Sequence, residues 1–158
     1  MLDPEQFLVG KLTKASPGLS LVLPRTRYEQ AFLLRDEDSH KSAVFIDGHY
    51  DFGSFEYDEN SDWAGVIIPN VRIELDEASV FDPSEAHPPL GAVVREGETL
   101  NIVASMQDRR IGNRRTRIVL KSGLPRCPDH YAAAFSKWQV VIGENDNKQV
   151  LKQVVIDR

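Results

Sequence analysis

Apolar and polar side chains alternate along much of this chain with a period of two. The alternation is clearest in residues 71–75, 100–106 and 138–142, where every second position is apolar. Side chains of a β-strand point alternately to the two faces of a sheet, so each segment has one face to bury and one to expose. The pattern therefore predicts β-strands.

Turn signals separate these segments, and the connections between them are short. Short connections join antiparallel strands, because a parallel pair needs a crossover of about a dozen residues or more. We predict strands over 19–23, 31–35, 42–46, 52–57, 63–68, 71–75, 92–94, 99–106, 114–120, 136–142 and 149–156, with 63–68 and 71–75 as candidates for one strand broken at Pro69. The predicted fold class is all-β and mostly antiparallel, a β-sandwich or partly open barrel.

One or two short helices complete the predicted fold. An Asp-Pro-Glu start favours a helix over 4–15, with a strand at 7–12 as the alternative because that segment is apolar enough. Asp129 is placed to cap a single helical turn at 131–134.

The length of 158 residues predicts a single β-rich domain spanning 1–158, large enough to bury a core without metals or disulfides. The hydrophobic fraction of 41% and the charged fraction of 27% are typical of globular proteins. Residues 82–90 contain three prolines and no apolar period, which predicts a surface loop.

Cysteine content and the N-terminal residues indicate the compartment. Cys127 is the only cysteine, so no disulfide can form within the chain and a reducing compartment is expected. Asp3 and Glu5 stand where a signal peptide would be basic, and the apolar stretch 7–9 is too short for one. No apolar run is long enough to cross a bilayer. We expect a soluble, cytoplasmic protein without membrane contact.

The net charge of −5 is unevenly distributed along the chain. Residues 1–105 hold 8 Lys and Arg against 19 Asp and Glu, and residues 106–158 hold 11 against 5. Such an asymmetry can mark a binding face, because summed charge steers association. The competing interpretation is that the two halves interleave in space, so that the molecule has no charged pole.

Asp47, His49 and Asp51 occupy alternate positions, with His40 upstream as a further candidate ligand. On an extended strand the three would share a face, as a metal-assisted hydrolase would need. Asp47 and Gly48 also form a turn signal, and a turn would scatter the three side chains. We interpret the segment as a turn, and expect no metal and no cofactor.

Other routes to catalysis find little support. Cys127 and His130 could form a nucleophilic cysteine with a histidine as its base. The chain has no second cysteine to form a redox pair, and the spacing matches no zinc site. Gly-rich phosphate loops, dinucleotide fingerprints and the Gly-x-Ser-x-Gly motif are absent from the sequence. These absences favour a non-catalytic protein over an enzyme without excluding catalysis.

The most distinctive cluster is basic. Five arginines fall within nine residues, and Lys121 follows them: Arg109, Arg110, Arg114, Arg115 and Arg117. If 114–121 is a strand, its outward face holds Arg115, Arg117, Val119 and Lys121, while Ile118 and its alternate neighbours face the core. Arg109 and Arg110 would then sit at the tip of a hairpin.

Four interpretations fit a basic hairpin. It can engage an acidic protein partner or the phosphates of a nucleic acid. It can also be an edge whose charges prevent aggregation, or pair internally with the acid-rich segments 58–62 and 74–77. We expect a non-catalytic binding module with a protein partner ahead of a nucleic acid. The oligomeric state and the identity of the partner do not follow from the sequence.

Overall fold

The structure is a computed structural model that describes residues 4–25, 31–35, 41–47, 52–57, 63–82, 88–108, 110, 112–121, 125–126 and 132–157. The regular elements of these residues are mostly β-strands, and the helices among them are single 3₁₀ turns. In chain order the strands are β1 Leu8–Lys11, β2 Gly18–Pro24, β3 Ala31–Arg35, β4 Lys41–Phe45, β5 Gly53–Glu56, β6 Ala64–Pro69, β7 Arg72–Leu75, β8 Val80–Phe81, β9 Val93–Glu96, β10 Thr99–Asp108, β11 Gly112–Val119, β12 Pro125–Arg126, β13 Ala133–Phe135, β14 Lys137–Ile142 and β15 Gln149–Val155. The all-β prediction is confirmed.

Twelve of these strands form one large sheet in the order β1-β6-β2-β3-β4-β5-β10-β9-β13-β8, with β11 pairing β10 and β12. The pairs are antiparallel except β5 with β10, which run parallel. The other three strands form a small antiparallel sheet in the order β15-β14-β7. Consecutive strands that pair, such as β2 with β3 and β9 with β10, are antiparallel, as their short connections require.

The small sheet packs on one face of the large sheet, as in a sandwich. Trp138, Val140 and Ile142 alternate along β14 and enter the same buried cluster as Phe32 and Ile102 of the large sheet. The rings of Phe32 and Trp138 stack with centroids 5.9 Å apart. The indole nitrogen of Trp138 donates a hydrogen bond to the Gly91 carbonyl at 2.8 Å, so this buried polar atom is satisfied.

Two smaller apolar clusters lie outside the main core. One contains Leu12, Val22 and Ile67, with Trp63 packed against it. The second contains Val94 and Val103. Because Val22 and Val103 alternate with main-core residues along their strands, these clusters cover the opposite face of the large sheet.

The chain passes from one sheet to the other at Pro69 and Asn70. The interpretation of 63–68 and 71–75 as one broken strand is wrong, because β6 belongs to the large sheet and β7 to the small one. Asn70 has a φ of 59°, in the left-handed region that asparagine tolerates better than most residues. Proline at 69 ends the ladder, since it has no N–H to donate.

The predicted helices are not formed. Over 4–15 the chain makes a 3₁₀ turn at Pro4–Gln6, strand β1 and a second 3₁₀ turn at Leu12–Lys14, which agrees with the strand alternative. The helical turn expected at 131–134 is also wrong, because residues 133–135 form strand β13 between β8 and β9. In both places pairing with a distant strand outweighs the local helix signal.

Of the predicted loop 82–90, only residues 82 and 88–90 lie within the described residues, and none of these is in a strand. No helix in the described ranges is long and apolar enough to span a membrane.

The core positions expected from alternation are confirmed. Ile102, Ile118, Trp138 and Val140 are all buried, and Ile102 and Ile118 stand directly opposite each other in the β10–β11 ladder. Each contributes its apolar surface to the contact between the two sheets.

Ile118→Ala should lower the free energy of unfolding by about 2–5 kcal/mol, because it leaves a cavity in a close-packed core. Denaturant unfolding followed by tryptophan fluorescence measures the change. Val150→Ala, on the exposed side of β15, is the control and should cost far less. Equal losses would show that Ile118 does not lie in the core.

Candidate binding surface on the β10–β11 hairpin

The basic cluster lies on a hairpin formed by β10 and β11. The two strands pair continuously from Asn101 opposite Val119 to Asp108 opposite Gly112, and this last pair closes the ladder at the tip of the hairpin. On its other side β10 pairs with β9 as far as Ile102, and with β5 at Ser105 and Met106. The hairpin therefore extends past its neighbouring strands only over about residues 107–113.

The distal end of β11 is exposed. All four residues from Gly112 to Arg115 are exposed, as are Arg110 at the tip and Lys121 after the strand. Arg114 and Arg115 are adjacent in the strand, so their side chains leave opposite faces of the hairpin. Arg115 donates a hydrogen bond to the Pro88 carbonyl at 3.3 Å. Arg109 lies outside the described residues.

Arg117 departs from the prediction. It does share a strand face with Arg115, but it is only 9% exposed. Its guanidinium donates to Glu96 of β9 at 2.7 Å, and both side chains of this ion pair are nearly enclosed. The expectation of an outward Arg117 is wrong, because its side chain reaches across β10 to Glu96 of β9 and both residues are buried. A buried charge stays in a protein only when a partner of opposite charge offsets its desolvation.

Asn101 lies beneath the ion pair. Arg117 stands opposite Val103 and Glu96 opposite Thr99, so a line joining them crosses β10 at the level of Asn101. The Asn101 side chain is fully buried, and neither of its amide atoms has a hydrogen-bond partner in the described part of the chain. The base of the hairpin therefore contains a buried polar cluster. Asn101 alternates with Leu100 and Ile102, a pattern that predicts an exposed side chain at 101, so the buried cluster was hidden from sequence reasoning.

The acid-rich segment 74–77 contacts side chains that lie outside the basic hairpin. Glu77 forms an ion pair with Arg95 at 2.7 Å. Glu74 accepts hydrogen bonds from Gln139 at 3.0 Å and from Lys148 at 3.1 Å. These contacts, led by the Gln139 hydrogen bond, hold the pKa of Glu74 below its ordinary value of 4.5. The second acid-rich segment, 58–62, lies outside the described residues.

Two shallow grooves flank Glu74 on the outer face of the small sheet. One, of about 370 Å³, is lined by polar groups of Lys137, Gln139 and Gln153, and the other, of about 390 Å³, by Arg72 and Lys148. The carboxylate between them is already hydrogen-bonded, and Trp138 directs its N–H to the core. The Glu74 carboxylate is therefore already committed to contacts within the protein.

The metal candidates are only partly described. Asp47 is exposed and forms an ion pair with Lys152 at 2.8 Å. His40, His49, Asp51, Cys127 and His130 lie outside the described residues. Within the described ranges no group of three His, Cys, Asp or Glu residues is arranged to hold a metal ion.

Fold and surface together define a two-sheet, mostly antiparallel β protein with a basic hairpin. The model of a protein family described as "Uncharacterised protein y4lG" matches residues 9–158. The chain is also 40% identical over 153 residues to the uncharacterized protein y4lG of Sinorhizobium fredii (strain NBRC 101917 / NGR234), covering 97% of this chain and 92% of that relative. The chain belongs to the y4lG family. No solved structure matches it.

Arg117→Met should lower the free energy of unfolding by about 3–5 kcal/mol, because it removes the cation that faces the buried Glu96 carboxylate. Adding Glu96→Leu to Arg117→Met should restore much of the loss. Lys152→Met breaks an exposed pair and should cost about 0–1 kcal/mol. Denaturant titration of the three variants measures these changes, and similar losses for Arg117→Met and Lys152→Met would contradict the burial of Glu96 and Arg117.

Gln139→Leu should raise the pKa of Glu74 toward 4.5, because it removes the largest cause of the lowering. Gln153→Leu, opposite Gln139 on β15, should leave that pKa unchanged. Carboxyl ¹³C chemical shifts followed against pH measure both. Since the folded-state pKa is lowered, the stabilisation is present above the unfolded pKa and is lost as pH falls through the folded value.

Proposed function

We propose that this protein is a non-catalytic binding module whose basic hairpin engages an acidic protein partner. The observation that carries the proposal is the run of exposed residues at the distal end of β11, which includes Arg114 and Arg115. Arg110 at the tip and Lys121 beyond the strand extend the positive charge. Arginine suits such a surface, because its planar fork donates to carboxylates in pairs.

Two further observations support the proposal. The acids Glu74 and Glu77 of segment 74–77 contact Arg95, Gln139 and Lys148, none of which lies on the hairpin. Arg117 is buried against Glu96 and belongs to the base of the hairpin. The proposed contact residues are therefore Arg110, Arg114, Arg115 and Lys121, with Arg109 included from sequence alone.

A protein partner is favoured over a nucleic acid by the shape and charge of the molecule. A two-stranded ribbon that reads DNA enters the major groove, which is about 8.5 Å deep. Here β5 flanks β10 as far as Met106, so little of the ribbon stands clear of the sheet. The net charge of −5 also opposes broad attraction to phosphate backbones. The proposal places the module in a reducing compartment such as the cytoplasm, because a chain with a single cysteine forms no internal disulfide.

Reversing two hairpin charges tests the proposal. Arg114→Glu with Arg115→Glu should remove most partner proteins that wild-type protein retains from a native extract, measured by quantitative mass spectrometry. The control variant, Lys14→Glu with Lys137→Glu, reverses two exposed charges elsewhere and should keep those partners. Both variants should unfold at nearly the wild-type denaturant concentration, because exposed charges contribute only about 0–1 kcal/mol to stability.

Treating the extract with nuclease separates the two classes of partner. Retention that survives nuclease and disappears only in the hairpin variant supports a protein partner. Retention that nuclease abolishes would identify a nucleic acid as the ligand. If the hairpin variant folds and keeps every partner, the arginines form only a solvated edge.

A further inference from the structure

The free sheet edges of this protein differ in how well they are protected. Five described strands pair on one side only: β1, β7, β8, β12 and β15. Strands β8 and β12 are two residues long, and β7 is half-buried throughout. Strand β15 has a bulge, because the register skips Leu151, and it carries Lys152 next to that bulge. Short length, bulges and charges are the features by which natural edges avoid pairing with other chains.

Strand β1 lacks most of this protection. It has no bulge in its register with β6 and no proline, and its only charge is Lys11 at the last position. The side chains of Leu8 and Val9 are 48% and 76% exposed. An unbulged, apolar edge is a template on which another strand can add.

The hydrogen bonds of β1 show which backbone groups are directed outward. Leu12 donates its N–H to the Trp63 carbonyl at 2.9 Å, so Leu12 faces β6. Since residues of an antiparallel strand alternate in this respect, Gly10 and Leu8 also face β6. The N–H and C=O groups of Val9 and Lys11 therefore point away from the sheet, where an added strand would meet them.

The side chains next to these groups form two rows across the sheet. Val9, Val66 and Leu23 stand in register on β1, β6 and β2, and they form an apolar row. Two positions further along, Lys11 and Arg25 flank Ala64, to whose carbonyl Arg25 donates its backbone N–H at 2.9 Å. Lys11 and Arg25 are both exposed. The edge therefore presents an apolar row followed by a cationic one.

We infer that the β1 edge binds an extended segment of a partner protein as an additional antiparallel strand. Direct cross-strand neighbours interact most strongly, so the segment should place a carboxylate opposite Lys11 and apolar side chains opposite Val9 and Leu8. From its N-terminus, such a segment therefore carries an acidic residue, then any residue, and then two apolar residues. This surface is separate from the basic hairpin, and the inference does not depend on the function proposed above.

In the register that is two-fold symmetric about Gly10, a second copy of β1 fits this edge less well than an acidic segment does. If two β1 strands paired about a two-fold axis at Gly10, Lys11 of each copy would face Val9 of the other. The two lysines would then be diagonal neighbours on one face, and like charges at such positions repel. An acidic segment instead supplies a partner for Lys11, and Arg25 adds positive charge to the same row two strands further into the sheet.

Proline substitutions on two edges test the inference. Val9→Pro removes an outward N–H without removing a bond to β6. Val155→Pro is the matched control, because Val155 is 65% exposed on β15 and Ile156 donates inward to the Ser136 carbonyl. The probe is a fluorescent eight-residue peptide with Glu-Thr-Val-Val at its centre, followed by anisotropy. Val9→Pro should weaken its binding by about tenfold or more, and Val155→Pro by less than about twofold.

Charge reversal at Lys11 tests the predicted preference for an acidic residue without changing the backbone. It also provides a test if Val9→Pro does not fold. Lys11→Glu should shift the preference from the Glu peptide to a matched peptide with Lys in its place. Arg114→Glu with Arg115→Glu should leave peptide binding unchanged, which separates this surface from the hairpin. Equal losses in Val9→Pro and Val155→Pro, or no binding to wild-type protein, would overturn the inference. A concentration-dependent dimer abolished by Val9→Pro would overturn it in favour of a second copy.

Discussion

The contact between the small sheet and one face of the large sheet is the interaction on which the rest of the structure depends. A three-stranded sheet needs an apolar face to pack against, and β14 supplies one through Trp138, Val140 and Ile142. Asn70 allows the chain to pass between the two sheets. Its backbone is left-handed, and this conformation turns the chain from β6 of the large sheet into β7 of the small sheet. The stacked rings of Phe32 and Trp138 then join the two sheets near their middle.

Strand β10 connects this core to the candidate binding surface. Its apolar side faces the small sheet, and its other side holds Asn101 beneath the Glu96–Arg117 ion pair. A slip of one residue would turn Arg117 into the apolar core, so the ion pair favours a single register of β11. The same register places Arg114 and Arg115 at the exposed end of β11. The buried base and the exposed end of the hairpin are therefore two consequences of one pairing.

Most strands were predictable from the sequence, because a period of two reports directly on burial of one face. Strand β3 was predicted with its observed bounds, and Ile102 and Ile118 were correctly assigned to the core. The helix expected over 4–15 failed because capping signals are worth little beside a ladder with β6 and the burial of Leu12. Local signals report on local preference, and here distant partners decide the outcome.

The candidate site divides in the same way. The sequence by itself determined that this chain forms antiparallel strands around an apolar core, and that its arginines cluster beside one turn. Tertiary structure alone decided that Arg117 is buried in an ion pair with Glu96, that β5 runs parallel to β10, and that β1 pairs on one side only among the described strands. The physical reason is that alternation shows only that a strand has two different faces. Which element covers each face, and which edge stays open, depends on strands far away in the chain.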